Sequence, residues 1–311
     1  GPEAEQAIEE WYVFHRDEAD RLLVRVWTAP GEADSLVPLI EQVGGEVTFA
    51  EDNRAEAYIP LAGLPPLAAL ESVTAITPPV LAESTSPNAA PPSQAEGADG
   101  HYSPPPANSP GMGNIKPHTL DILGANAWHN AVNEIGQPTP FTGQGVNVAV
   151  IDTGVAYKDA HGVKALPDLA DTKFDKGASF VAGVPDGLDD HAHGSHVAGT
   201  VAQSTDNGIG VTGVAYEATI MPLKVLSKEG RGSVPGIANA IRYAADNGAH
   251  VINMSLGGPL PSRVLAKAIE YAHEKGVTVI CAAGNERRSR VGYPAGNKHS
   301  VAISATNYDG E

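Results

Sequence analysis

The sequence predicts an α/β protein: a doubly wound, mostly parallel sheet preceded by a small ferredoxin-like α+β unit. Three observations carry that prediction. Residues 118–311 alternate near-continuous apolar runs with amphipathic, helix-spaced segments. Residues 1–82 hold a shorter mixed pattern in the order β-α-β-β-α-β. Between them, residues 83–117 are rich in Pro, Ser, Ala, Gly and Asn and have neither period, as expected of an extended linker.

In the first part, RLLVRVW (21–27) has the alternation of a strand. Leu36, Leu39, Ile40 and Val43 then recur at helical spacing, up to Gly44-Gly45. EVTFA (46–50) and RAEAYIP (54–60) flank Glu51-Asp52-Asn53 as a hairpin. LPPLAALESV suggests a short helix and VTAIT (73–77) a closing strand. That order is a split βαβ unit, and by itself it names no function.

In the second part, VNVAVI (146–151), ATIMPLKVL (218–226), HVINMSL (250–256), VTVICAA (277–283) and SVAISAT (300–306) read as strands buried on both faces. Two helices fall between them: 233–248, with Ser233 as start and Gly248 as stop, and 262–276, with Ser262 and Gly276. Alternation of this kind builds a parallel sheet whose ligands sit at the carboxyl ends of the strands.

Composition excludes several function classes. The net charge is −17, and residues 1–118 carry 18 acids against 5 bases. Nucleic acid is therefore excluded as a partner, because phosphate binding needs a basic face. No run reaches the ~20 apolar residues of a membrane span. Cys281 is the only cysteine, which excludes a disulfide framework and a multi-thiol metal site; in VTVICAAG it reads as a packing residue. A secreted or extracellular protein is compatible with this pattern.

Chemistry is concentrated at strand ends. Asp152-Thr153-Gly154 closes the first long strand, either as a turn or as a carboxylate held ionised by backbone N–H groups. His193-Gly194-Ser195-His196-Val197-Ala198-Gly199-Thr200 places a histidine at a helix start, where it can act as a base. A His-x-x-His pair without a third ligand in register is a poor zinc motif. Asn285, after Ala282-Ala283-Gly284, can form a turn or donate its amide to a developing oxyanion.

Taken together and in this order, DTG, HGSHVAGT, SLGG and AAGNE resemble the subtilase family of serine peptidases. The resemblance implies a subtilisin-like sheet, incomplete at its C-terminal side here. It makes Asp152 the triad acid, His193 the general base and Asn285 the oxyanion donor. Gly230-Arg231-Gly232 and Ser255-Leu256-Gly257 become the two walls between which a peptide or protein substrate lies as an added strand. A structural calcium ion is implied at Asp168 and Asn207 side chains with Ile209 and Val211 carbonyls.

The same resemblance makes residues 1–82 an inhibitory propeptide whose tail, Thr77 through Leu81 and a few residues beyond, occupies the cleft. The family's nucleophile belongs to a Gly-Thr-Ser-Met-Ala-type segment that does not occur in this sequence. The expected protein is a serine endopeptidase zymogen whose serine lies outside the chain, for instance on a C-terminal fragment. The chain alone is then expected to be inactive. The alternatives are an inactive pseudoprotease or a propeptide-based inhibitor or binding module.

Overall fold

The computed structural model describes residues 21–77, 81–84, 125–132, 140–285 and 290–305, with single positions at 17, 19 and 138 between them. The linker expected at 83–117 lies outside these residues apart from Glu83 and Ser84. The chain divides into two compact units. The smaller takes residues 1–81 with 182–184 and 233–236, and the larger takes the rest.

The smaller unit runs β1 (Leu22–Trp27), α1 (Ala33–Gln42), β2 (Glu46–Glu51), β3 (Arg54–Ile59), α2 (Leu64–Ala68) and β4 (Ala75–Thr77). Its sheet has the order β2-β3-β1-β4 with every pairing antiparallel. This is the ferredoxin-like arrangement expected from the element order. Alternation along β1 and β3 sends Leu22, Val24, Val26, Ala55, Ala57 and Ile59 to one face. There they pack with Leu36 and Ile40 of α1 and Leu67 of α2. The short-helix segment resolves into a 3₁₀ turn at Leu61–Gly63 followed by α2. Prolines 65 and 66 are tolerated because they fall in the first turn of α2, where N–H groups have no intrahelical acceptor.

The larger unit holds all or most of β5 (Leu81–Ser84), α3 (Ala125–His129), β6 (Asn147–Asp152), β7 (Lys173–Phe174), β8 (Ala178–Ser179), α4 (His193–Ala202), β9 (Thr219–Lys224) and β10 (Arg231–Ser233). It continues with α5 (Val234–Asp246), β11 (Val251–Met254), β12 (Leu256–Gly257), α6 (Arg263–Glu274), β13 (Thr278–Ala282) and β14 (Ser300–Ile303). Its main sheet has the order β14-β13-β11-β6-β9-β7, with β8 also paired to β9, and its pairings are parallel. Both helix starts legible in sequence carry caps: Ser233 Oγ accepts from Gly236 N at 3.1 Å, and Ser262 Oγ accepts from Leu265 N at 3.4 Å.

Two strands depart from the sequence expectation. The 250–256 run breaks at Ser255, so that β12 leaves the main sheet and joins another. The 300–306 run forms β14, which is the outermost strand among the described residues, with Val301 46% and Ile303 52% exposed. An apolar run specifies a strand, but burial on both faces also requires neighbours.

The main sheet places the site. From β6 the chain reaches β9 on one side, then β11, β13 and β14 on the other. That reversal is a topological switch point, and crevices open outside the carboxyl ends of strands there. Asp152 ends β6, Lys224 ends the neighbouring β9 and Ala282 ends β13, one strand beyond β11, so the three loops leave the same edge of the sheet.

Candidate active site

Asp152 is completely buried at the end of β6, and its Oδ1 accepts from Thr153 N at 2.7 Å. Oδ1 also meets His193 Nδ1 at 2.7 Å. Oδ2 has no partner among the described residues. Burial pushes the Asp152 carboxyl up from its ordinary value, against the pull of the His193 bond. Burial draws the His193 imidazole down, but the Asp152 bond and charge outweigh it and hold the ring above its ordinary value. The pair is therefore an imidazole whose charged form is favoured by a carboxylate that also fixes its tautomer.

Helix α4 brings His193 to this contact, and glycine makes the approach possible. A Cβ on Gly194 would overlap the Gly154 carbonyl oxygen, and one on Gly154 would meet the Leu188 carbonyl at 2.5 Å. Gly154 also sits at φ +101°, a backbone region that L side chains rarely adopt. Gly194→Ala is expected to lower stability by about 3 kcal/mol in urea unfolding, because neither backbone can yield without displacing His193.

The segments expected to form the substrate walls belong to a second, smaller sheet. A three-stranded sheet of order β10-β5-β12 sets Arg231 and Gly232 on one side and Leu256 and Gly257 on the other. β5 pairs antiparallel to β12, Ser84 opposite Leu256 and Glu83 opposite Gly257, and all four positions belong to the larger unit. Gly230 precedes β10 and donates its N–H to the Ser227 carbonyl at 2.9 Å. Beyond β12 a cavity of about 310 Å³ is lined by Ser255, Ala282, Ala283, Gly284 and Asn285 among others. Asn285 is exposed at this cavity, with Gly284 turning the chain at φ +106°. Cys281 is buried in β13, and burial pushes its thiol up to about 11, so it is an inert packing group.

The residues expected to hold calcium also meet, apart from the catalytic pair. Asp168 Oδ1 accepts from Asn207 Nδ2 at 2.8 Å, and Oδ2 accepts from Gln203 Nε2 at 2.9 Å. Gln203 Nε2 also donates to the Val211 carbonyl. Ile209 N donates to Asn207 Oδ1 at 3.0 Å. A Cβ on Gly210 would overlap Asp168 Oδ2, so the loop closes tightly over the carboxylate. One carboxylate, two carboxamides and a carbonyl form a hard-oxygen set once the carboxamides turn their oxygens inward. Among the described residues no group of three or more His, Cys, Asp or Glu is placed to hold a metal.

Sequence reading missed three participants. Gln203 carries no motif signal. Lys224 is fully buried in β9, its Nζ donating to the Thr153 carbonyl at 2.7 Å and to Asp190 at 2.6 Å. Asp189 precedes the histidine motif and bonds to both triad loops. The doubled carboxylate Asp189-Asp190 just before HGSH was the available signal for the last two.

Comparison with known proteins agrees with this geometry. Residues 143–311 match the subtilase family of peptidases. Subtilisin BL and subtilisin Savinase, both of Lederbergia lenta, are each 45% identical over 166 residues, covering 53% of this chain and 57% of theirs. Alkaline elastase YaB of Bacillus sp. (strain YaB) is 42% identical over 172 residues, covering 55% of this chain and 42% of its own. The chain thus spans about half the length of these relatives, from 42% to 57%. With an aspartate–histidine pair at the switch point and a family match over more than half its length, the chain belongs to the subtilase family of serine proteases.

Proposed function

We propose that this chain is the zymogen portion of a serine endopeptidase that carries the acid, base and oxyanion donor, with the nucleophilic serine on another polypeptide segment. The observation that carries this reading is the 2.7 Å contact between Asp152 Oδ1 and His193 Nδ1, which leaves Nε2 as the working nitrogen. Among the described residues no serine hydroxyl bonds to His193. In the reaction, Nε2 takes the proton of a serine hydroxyl as its oxygen attacks the scissile carbonyl. Asp152 holds the ring and stabilises the imidazolium, and the proton then passes to the leaving amine. The Asn285 amide and backbone N–H groups receive the oxyanion.

Residues 1–82 act in this reading as the propeptide. Support comes from β5, since Glu83 and Ser84, the residues directly following this unit, pair with β12 in the strand position that a substrate would need. Main-chain pairing of this kind binds a peptide with little regard to side chains. A secreted enzyme fits the company of the subtilisins, and no helix among the described residues is long and apolar enough to cross a membrane.

A fluorophosphonate probe tests the assignment. The chain alone is expected to stay unlabelled, and its mixture with the natural serine-bearing segment to label on that segment. Absence of labelling in the mixture, with the pair co-purifying, would make the protein a binding module instead.

Calcium is the proposed structural ion, held by Asp168, Asn207, Ile209 and Val211, with Gln203 beside them. The ion would supply a cross-link between the 167–169 turn and the 205–211 loop, and no chemical step. At a calcium concentration of 100 times Kd the gain is about 2.7 kcal/mol. Calorimetry should show Tm rising with calcium and falling with chelator, and Asp168→Asn should remove the dependence.

A further inference from the structure

Asp189 is neither a triad member nor part of the histidine motif, yet it is buried at 5% exposure and accepts five hydrogen bonds. Oδ1 accepts from Thr153 Oγ1 at 2.8 Å, His191 N at 2.9 Å and Ala192 N at 3.0 Å. Oδ2 accepts from Ser195 N at 2.9 Å and Ser195 Oγ at 2.6 Å. Thr153 Oγ1 in turn accepts from Gly194 N at 2.8 Å. The donors come from both sides of the catalytic pair: Thr153 follows Asp152, and Ala192 and Gly194 flank His193.

Helix α4 explains why such a residue is needed. Its N-cap position is Ala192, which has no side-chain acceptor and stands in the left-handed region at φ +84°. A helix starting this way leaves its first N–H groups without acceptors and carries backbone strain at the residue before His193. Asp189 and Thr153 supply the missing acceptors from outside the helix. A carboxylate at a helix N-terminus also complements the helix dipole. One carboxylate therefore caps α4, holds the strained turn and is tied to the loop of the triad acid.

We propose that Asp189 is the positioning residue of this site, setting the His193 imidazole in register with Asp152 by joining their two loops. The inference rests on the reading of Asp152 and His193 as the catalytic pair. Other ionisable groups around the imidazole are Asp152 of β6, His191 edge-on with ring centroids 6.4 Å apart, and the nearby pair of Lys224 and Asp190. Because five donors face the carboxylate, the isosteric change Asp189→Asn sets an NH₂ against donors without altering volume.

Nitrogen-15 NMR of the histidines in this full chain tests the proposal without requiring the serine. In the parent, a low-field Nδ1 proton that Asp152→Asn erases reports the catalytic pair; its absence would overturn the pair itself rather than the role of Asp189. Given that signal, Asp189→Asn is expected to broaden or erase it and to lower the His193 pKa. Ile269→Ala in α6 is a distant destabilising control that should lower Tm and leave the signal alone. Thr153→Val breaks the link to Asp189 while keeping its charge, and should weaken the Nδ1 signal with a smaller change in titration. Thr153→Val decides the matter if Asp189→Asn does not fold. Retention of the parent signal and titration in the folded variants, with Tm lowered as in the control, overturns the proposal.

Discussion

Replacing His193 by alanine in the enzyme reassembled with its serine-bearing segment is expected to lower kcat by about 10⁶-fold, with little change in KM. That is the size of loss when a subtilisin is deprived of its serine or histidine. The reasoning is geometric. Asp152 is completely buried and its Oδ1 is engaged by the Nδ1 edge of the ring. Among the described residues, no second imidazole bonds to that carboxylate. His191 is not a substitute, because its own ring lies edge-on to His193 and its Nδ1 is buried without a partner. Residual hydrolysis should persist above the water rate, since the strand-binding walls and Asn285 remain. Single-turnover kinetics on a peptide substrate measures the loss. A decrease of only ten-fold would mean that His193 is not the base.

Asp152→Asn carries the second largest effect, a loss of about 10⁴-fold in kcat through the wrong imidazole tautomer. It also has a thermodynamic signature that this chain alone can give. Burial acts to lower the His193 pKa, and the Asp152 bond and charge raise it to a net value above the ordinary one. The raised folded value means that the pair adds stability below the unfolded imidazole value of about 6.5. That contribution is lost as pH rises through the folded value. In Asp152→Asn the burial cost remains without the compensating charge, so the imidazole should titrate below its ordinary value. The gain in stability on acidification through that window should vanish or reverse. Urea midpoints measured across neutral pH, beside histidine NMR titration, check the sign. An unchanged His193 titration would show that the carboxylate and the ring are not coupled in solution.

The candidate site was legible in sequence as far as local motifs carry. Asp152, His193 and Asn285 each end a strand or open a helix, and period and turn chemistry located those ends within one or two residues. Glycines 154 and 194 were legible as motif letters, though not as the close backbone contact they permit. Ser233 and Ser262 announced their helices because a cap is a contact between near neighbours in the chain.

Lys224 illustrates what period alone leaves unexplained. It is the one charged residue of ATIMPLKVL, a run read as a strand buried on both faces, and its side chain is fully buried. The Thr153 carbonyl and Asp190 that make this burial tolerable lie 71 and 34 residues away in sequence. Gln203 gained its place beside Asp168 in the same way, across 35 residues.

By itself, the sequence determined the two fold classes and the order of the long strands β6, β9, β11, β13 and β14 along the chain, and it singled out Asp152 and His193 as residues at a strand end and a helix start. These follow from periodicity, caps and turns, which act over a few residues. The tertiary structure alone decided that β12 leaves the main sheet and that Asp189 joins the loops of Asp152 and His193. Such outcomes depend on which strands become neighbours and which buried polar groups find partners, and the desolvation cost that enforces them arises only once distant segments are packed together.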